Sequence, residues 1–222
     1  ERNDYDMELS DLRRLVRQGE HQQLEFKRKA HHPDKITREL VAFANTEGGL
    51  LLVGVDDDQT IYGVKFPEED MFALRNYVAQ YAQPELPLHW EHIRVHERRA
   101  VLAIRVEPGL EKPYFLRDDD QPERKAAFVR VRDMSVRASR EVVSLMRLEQ
   151  RDRGGALHFG ERERLLLQHL EDEPHITLSE TQALLRLNKR NTSSMLIRLV
   201  RAGLLRIQPT EKGDFFSLRE EA

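Results

Sequence analysis

The 222-residue sequence contains no cysteine. That excludes a disulfide scaffold, a thiolate metal site and a cysteine nucleophile. Apolar runs such as Leu50 to Val55 are short and fall far below the ~20 residues needed to cross a bilayer as a helix. No signal-like apolar segment stands near the N-terminus, so a cytoplasmic protein with no membrane contact is expected. No Gly-x-x-x-x-Gly-Lys-Ser/Thr phosphate loop occurs, leaving ATP hydrolysis without support. Histidines are scattered. His92 and His96 fall in a segment that alternates like a strand, which separates their rings and argues against zinc. Positive charge is not in excess either: 36 Lys and Arg stand against 39 Asp and Glu, a net charge of -3, and this argues against a globally basic binder of nucleic acid.

What is present suffices for a core under a charged surface, with 39% apolar and 34% charged residues. The length suits two modest domains. The first, over residues 1–152, mixes helices and strands and is expected to be α+β. A short helix over Asp11 to Gln18 is predicted behind Ser10 as N-cap, with Gly19 as its stop. Leu24 to Lys27 alternates apolar and charged residues, the pattern of a strand with one buried face, which would turn Glu25 and Lys27 away from the core. A helix over Lys35 to Thr46 ends at Gly48 and Gly49. Leu50 to Val55 reads as a buried strand and Thr60 to Val64 as its hairpin return. A helix over Glu68 to Gln83, strands over Leu88 to Val95, Ala100 to Val106 and Ala127 to Val131, and a helix over Arg140 to Gln150 complete the domain. Trp90, Tyr77 and Tyr81 read as packing residues rather than a base-stacking platform.

A linker is expected over residues 153–160, where Gly154 and Gly155 fall. Residues 161–222 have a different rhythm: helices over Arg162 to Leu170, Leu178 to Leu187 and Arg190 to Ala202, then strands over Leu204 to Gln208 and Asp214 to Leu218. That is the order of a winged helix-turn-helix. From Glu161 onward ten basic residues balance ten acidic ones, but the acids lie at the ends; between Thr181 and Thr210 there are six basic residues and no acid. Lys189, Arg190, Asn191, Ser193, Ser194 and Arg198 on the third helix, with Lys212 in the hairpin, are the expected nucleic-acid contacts. The plainer alternative is a solvated helix face on a protein-interaction module.

Three segments of the first domain are the least ordinary: Gly19-Glu20-His21-Gln22-Gln23-Leu24-Glu25-Phe26-Lys27, Ala42-Phe43-Ala44-Asn45-Thr46-Glu47-Gly48-Gly49, and Leu52-Val53-Gly54-Val55-Asp56-Asp57 with Gly63-Val64. In this order they resemble the Schlafen AlbA-like domain over about Leu9 to Ser139. The resemblance implies an α+β domain of bacterial regulators, here joined to a winged helix. It implies first a DNA-binding transcriptional regulator, with DNA or RNA as partner and a homodimer as the expected assembly. Because vertebrate relatives include endonucleases of structured RNA, it also implies an alternative, a metal-dependent endoribonuclease. Its carboxylates would be Glu20, Glu25 and Asp57, with Asp56 as substitute, holding Mg²⁺ or Mn²⁺ through hard oxygen ligands; Lys27 would hold the phosphate. Arg130, Arg132 and Arg137 resemble the family's basic strand end and would extend a phosphate-binding face. The structural alternative keeps Glu25 and Lys27 as an exposed pair, Glu20 as a turn cap and Asp56 to Asp58 as hairpin-turn residues.

Overall fold

The computed structural model describes residues 7–121, 123–149 and 159–219. The chain divides into two compact units, residues 1–136 and 137–222. The expected linker falls largely on residues 153–158, outside the described residues. The division lies ahead of the expected boundary, so the helix over Arg140–Glu149 packs with the C-terminal unit rather than closing the larger domain.

In the first unit, α1 (Leu9–Val16) starts two residues earlier than expected. Ser10 is therefore inside the helix. Glu8 is the N-cap, and its amide donates to the Asp11 carboxylate at 3.4 Å. Next come β1 (Leu24–Lys27), α2 (Pro33–Asn45), β2 (Gly49–Val53), α3 (Pro67–Tyr81) and the short β3 (Ala82–Gln83). β4 (Leu88–His96) and β5 (Arg99–Val106) form a hairpin. Then follow β6 (Phe115–Arg117), β7 (Lys125–Ala126), β8 (Phe128–Val131) and β9 (Met134–Arg137). The main sheet has the order β1-β2-β5-β4, with β1 parallel to β2 and the other pairs antiparallel.

β2 explains its own composition. Leu50 and Leu52 pack on one face with Leu12, Val16 and Phe26, while Leu51 and Val53 pack on the other with Ile36, Leu40, Phe43 and Leu74. A strand covered on both faces reads as a continuous apolar run rather than an alternation. The same two-sided cover corrects the orientation expected for β1: Glu25 is paired in register with Leu51 and is only 6% exposed. The expected return strand over Thr60 to Val64 does not form; only isolated bridges, Val55 to Ile61 and Val64 to Ala100, occur there. What holds that turn is a close approach of two glycines. Gly54 has φ +108°, and a Cβ on it would lie 2.8 Å from the Gly63 Cα, so neither position has room for a side chain.

The C-terminal unit comprises α4 (Arg140–Glu149), α5 (Glu161–Asp172), β10 (Ile176–Thr177), α6 (Leu178–Leu185), α7 (Lys189–Arg201), β11 (Leu205–Gln208) and β12 (Phe215–Leu218). Its sheet has the order β10-β12-β11, antiparallel throughout. Leu166, Leu170, Leu185, Met195, Leu196, Leu199 and Phe216 form its core. α6 opens with a reciprocal cap: the Thr177 amide donates to Glu180 Oε2 at 2.7 Å, and the Glu180 amide to Thr177 Oγ1 at 3.2 Å. It ends at Arg186 in the left-handed region, φ 50°. Asn188 then caps α7, accepting the Asn191 amide at 2.9 Å.

Candidate functional site

The carboxylates of the resemblance do not assemble into a metal site. Among the described residues, no group of three or more His, Asp or Glu could hold a metal ion. Each acid has another occupation. Glu20 Oε1 accepts the Phe26 amide at 2.8 Å, so it braces the entry to β1. Glu25 gives Oε2 to Arg130 Nη1 at 3.0 Å and Oε1 to Lys27 Nζ. Asp56 pairs with Arg28 at 3.0 Å, and Asp57 is exposed at the turn. This donor set does not fit Mg²⁺ or Mn²⁺, which need several oxygens converging on one point.

Arg130, expected on an exposed phosphate-binding face, is an interior residue, with its side chain 0% exposed. Its Nη1 donates to Glu25 at 3.0 Å, to Glu39 at 2.9 Å and to Ser135 Oγ at 3.2 Å. Nη2 reaches the His21 carbonyl at 3.1 Å, Nε the Gln22 carbonyl at 3.3 Å, and the guanidinium lies 4.9 Å from the Phe43 ring centroid. Two buried acids around one arginine leave an excess of negative charge, relieved by Lys27 on Glu25, Arg38 on Glu39 at 3.0 Å and a Ser135 hydroxyl donated to Glu39. Burial, reinforced by the charge of Glu39 and opposed by Lys27, holds the Glu25 carboxyl above the usual carboxylate range. Arg132, in the turn between β8 and β9, and Arg137, the last residue of β9, are exposed.

The Asn45 segment is also structural. The Asn45 Nδ2 donates to the Tyr114 and Phe128 carbonyls, both at 2.9 Å, and its Oδ1 accepts the Tyr114 amide at 2.8 Å. Thr46 Oγ1 accepts the Arg130 amide at 2.9 Å. These bonds tie the end of α2 to β8, which carries Arg130, and to the segment ahead of β6.

Each unit carries a cleft rich in cationic side chains. In the C-terminal unit the core face of α7 is Thr192, Met195, Leu196 and Leu199, all buried. At 3.6 residues per turn, Lys189, Arg190, Ser193, Ser194, Ile197, Arg198 and Arg201 fall on the opposite face. They line a cleft of about 760 Å³ whose other wall is Arg140, Glu141, Ser144, Arg147 and Leu148 of α4. Arg198 is held by Glu163 at 3.1 Å. Asn191 is exposed but outside the cleft, and Lys212 lies exposed in the turn between β11 and β12.

The cleft of the first unit was not anticipated. It has a volume of about 390 Å³ and is lined by Arg28, Lys29, His31, Lys65 and Arg99 together with Tyr62, Phe66 and one acid, Asp70. The Arg28 guanidinium stands 4.4 Å from the Tyr62 ring centroid and Lys65 Nζ 5.1 Å from that of Phe66. The run Lys27-Arg28-Lys29 leaving β1 was the available signal; the aromatics reach it only through the Gly54–Gly63 turn.

Comparison with known proteins places the first unit. No curated protein matches the chain. Among solved structures it is similar to the N-terminal domain of a RecG-related protein from Nitrosomonas europaea, at 20% identity and TM-score 0.43 over 70% of this chain and 98% of that one. It is also similar to the DIP2311 protein from Corynebacterium diphtheriae, at 21% identity and TM-score 0.43 over 80% of this chain; there it spans 32% of the other chain. The family model described as Schlafen, AlbA_2 matches residues 20–139, a range that takes in the β1 segment with Glu20 and Glu25, the Asn45 clamp and the Gly54–Gly63 turn. The chain therefore belongs to the Schlafen AlbA_2 family.

Proposed function

We propose that this protein binds nucleic acid as a cytoplasmic DNA-binding transcriptional regulator, its C-terminal unit a winged helix-turn-helix that acts as a homodimer. The observation that carries this reading is the outward face of α7, where Lys189, Arg190 and Arg198 stand with Ser193 and Ser194 and no acid. The element order supports it: α6 and α7 are joined by a short turn, and β11 and β12 follow as a hairpin with Lys212 at its tip. In a winged helix the second helix of that pair enters the major groove and the hairpin touches the flanking backbone. The cleft of the first unit, with Lys29, Lys65 and Arg99 beside Tyr62, adds phosphate and stacking contacts.

Fluorescence anisotropy of a labelled duplex, measured across a salt series, tests this. Binding should weaken with salt, and Arg190→Ala or Arg198→Ala should each lower the slope of log K against log salt by about 0.9. No retention of duplex at low salt would refute the reading. The same samples incubated with Mn²⁺ or with EDTA should show no metal-dependent cutting of DNA or tRNA. Cutting abolished by Glu25→Ala would overturn the assignment of Glu25 as a structural partner of Arg130.

A further inference from the structure

α4 lies on the face of α7 that the reading above turns toward DNA. A major groove is about 12 Å wide, and one α-helix with its side chains fills about 10–12 Å. A second helix facing the same side of α7 would compete with a groove wall for that space. Between the two helices a cleft of about 760 Å³ is open, within the ~300–1,000 Å³ typical of small-molecule sites.

The chemistry of the cleft specifies the class of occupant. Arg140 enters from α4, and Lys189 and Arg190 from α7; all three are exposed and form no ion pair among the described residues. Ser144 and Ser193 add hydroxyl donors, the set that phosphate oxygens accept. Leu148 and Ile197, half-buried, form an apolar patch between the charges. The one acid in the lining, Glu141, is buried and sits near Asp214. Inorganic phosphate would leave the apolar patch uncovered, whereas a phosphorylated molecule with an organic body would cover it.

We propose that the α4–α7 cleft is a binding site for a phosphate-bearing organic anion of nucleotide size, and that its occupant holds α4 against α7 and excludes duplex DNA. Two features make the states exclusive. Lys189 and Arg190 cannot neutralise the small anion and a DNA backbone together, and the ligand bridges Arg140 to α7, fixing the helix that blocks the groove. The exclusion rests on the reading of α7 as the DNA-contacting helix; the ligand site does not.

The test titrates the full chain with ATP in divalent-free buffer by calorimetry, with pyrophosphate and adenosine as partial probes. ATP should bind saturably and more tightly than either fragment. Arg140→Ala should weaken ATP at least about tenfold, and so should Ser144→Asp, which sets a carboxylate in the cleft; circular dichroism confirms that both variants fold. Arg140→Ala should leave duplex affinity unchanged or raise it, whereas Arg190→Ala should weaken both ligands. ATP should displace labelled duplex, while sodium sulfate at equal ionic strength should not. The site is refuted if neither ATP nor pyrophosphate binds, or if both cleft variants bind ATP as the native chain does. The exclusion is refuted if ATP and duplex bind together. If ATP binds and duplex does not, the DNA reading fails and the ligand site stands.

Discussion

Replacing Arg130 by Met would keep an unbranched apolar stem and remove the guanidinium with its charge and hydrogen bonds. Arg130 is the common partner of Glu25 and Glu39, which are 6% and 3% exposed. Taking one member from a buried ion cluster typically costs about 3–5 kcal/mol, because the remaining charge is left desolvated and unpaired. Against a total stability of about 5–15 kcal/mol this is a large fraction; at a urea m-value of about 2 kcal/mol/M it lowers the midpoint by about 2 M. Trp90, the one tryptophan of the sequence, sits half-buried on β4 of the same unit. Its fluorescence therefore follows the unfolding of this unit. The cost should shrink as pH falls: without Arg130 the Glu25 carboxyl, already above its usual range, would be held further above its unfolded value, and the penalty of ionising it vanishes once it is protonated. Adding Glu25→Gln and Glu39→Gln to Arg130→Met should recover at least half of the loss. A cost below about 1 kcal/mol, or one the two glutamines leave unchanged, would refute the account. So would full stability accompanied by lost nucleic-acid binding, which would return Arg130 to a contact surface.

Asn45→Ala removes three buried hydrogen bonds and strands the Tyr114 amide; about 2–4 kcal/mol should be lost in the same urea assay. Gly63→Ala places a Cβ 2.7 Å from Val95 Cγ2 at φ +68° and should cost about 1–3 kcal/mol, lowering the thermal midpoint. Asp214 is held above the usual carboxylate range by burial first and by the charge of Glu141, against its hydrogen bond from Ser139. Glu25 is raised in the same sense. For both, the native state binds more protons than the unfolded state between the unfolded and folded pKa values, so their contribution to stability falls as pH rises through that window. Asp214→Asn should flatten the dependence in the C-terminal unit, read by circular dichroism, and leave the Trp90 signal unchanged.

The long elements were legible because their periodicity is strong. α2, β2, α3 and α7 lie within a few residues of their expected bounds, and the acid-free stretch over α7 coincides with a real surface. The short strands β3, β6 and β7, of two or three residues each, carry no period at all. They exist because neighbouring segments supply hydrogen bonds, which no local pattern reports. β1 shows the subtler failure. Its alternation was real and the strand formed, but alternation distinguishes apolar from charged, not covered from uncovered. The face carrying Glu25 is covered by α2 and β8, and a charged residue is tolerated there only because Arg130 meets it.

That pairing changes what counts as a candidate site. The resemblance makes Glu25 a catalytic ligand and Arg130 a phosphate contact, from segments 105 positions apart, and each role requires that the residue be unoccupied. In the fold they satisfy one another, so both assignments fall together. The same reasoning selects what survives. A cation can serve a ligand only where its charge is not already spent on an acid: Lys27 and Arg130 are spent on Glu25, and Arg198 is partly spent on Glu163. Lys189, Arg190 and Arg140 have no such partner among the described residues. The surface best able to take an anion is thus built from two helices far apart in sequence, of which only α7 announced itself through its composition.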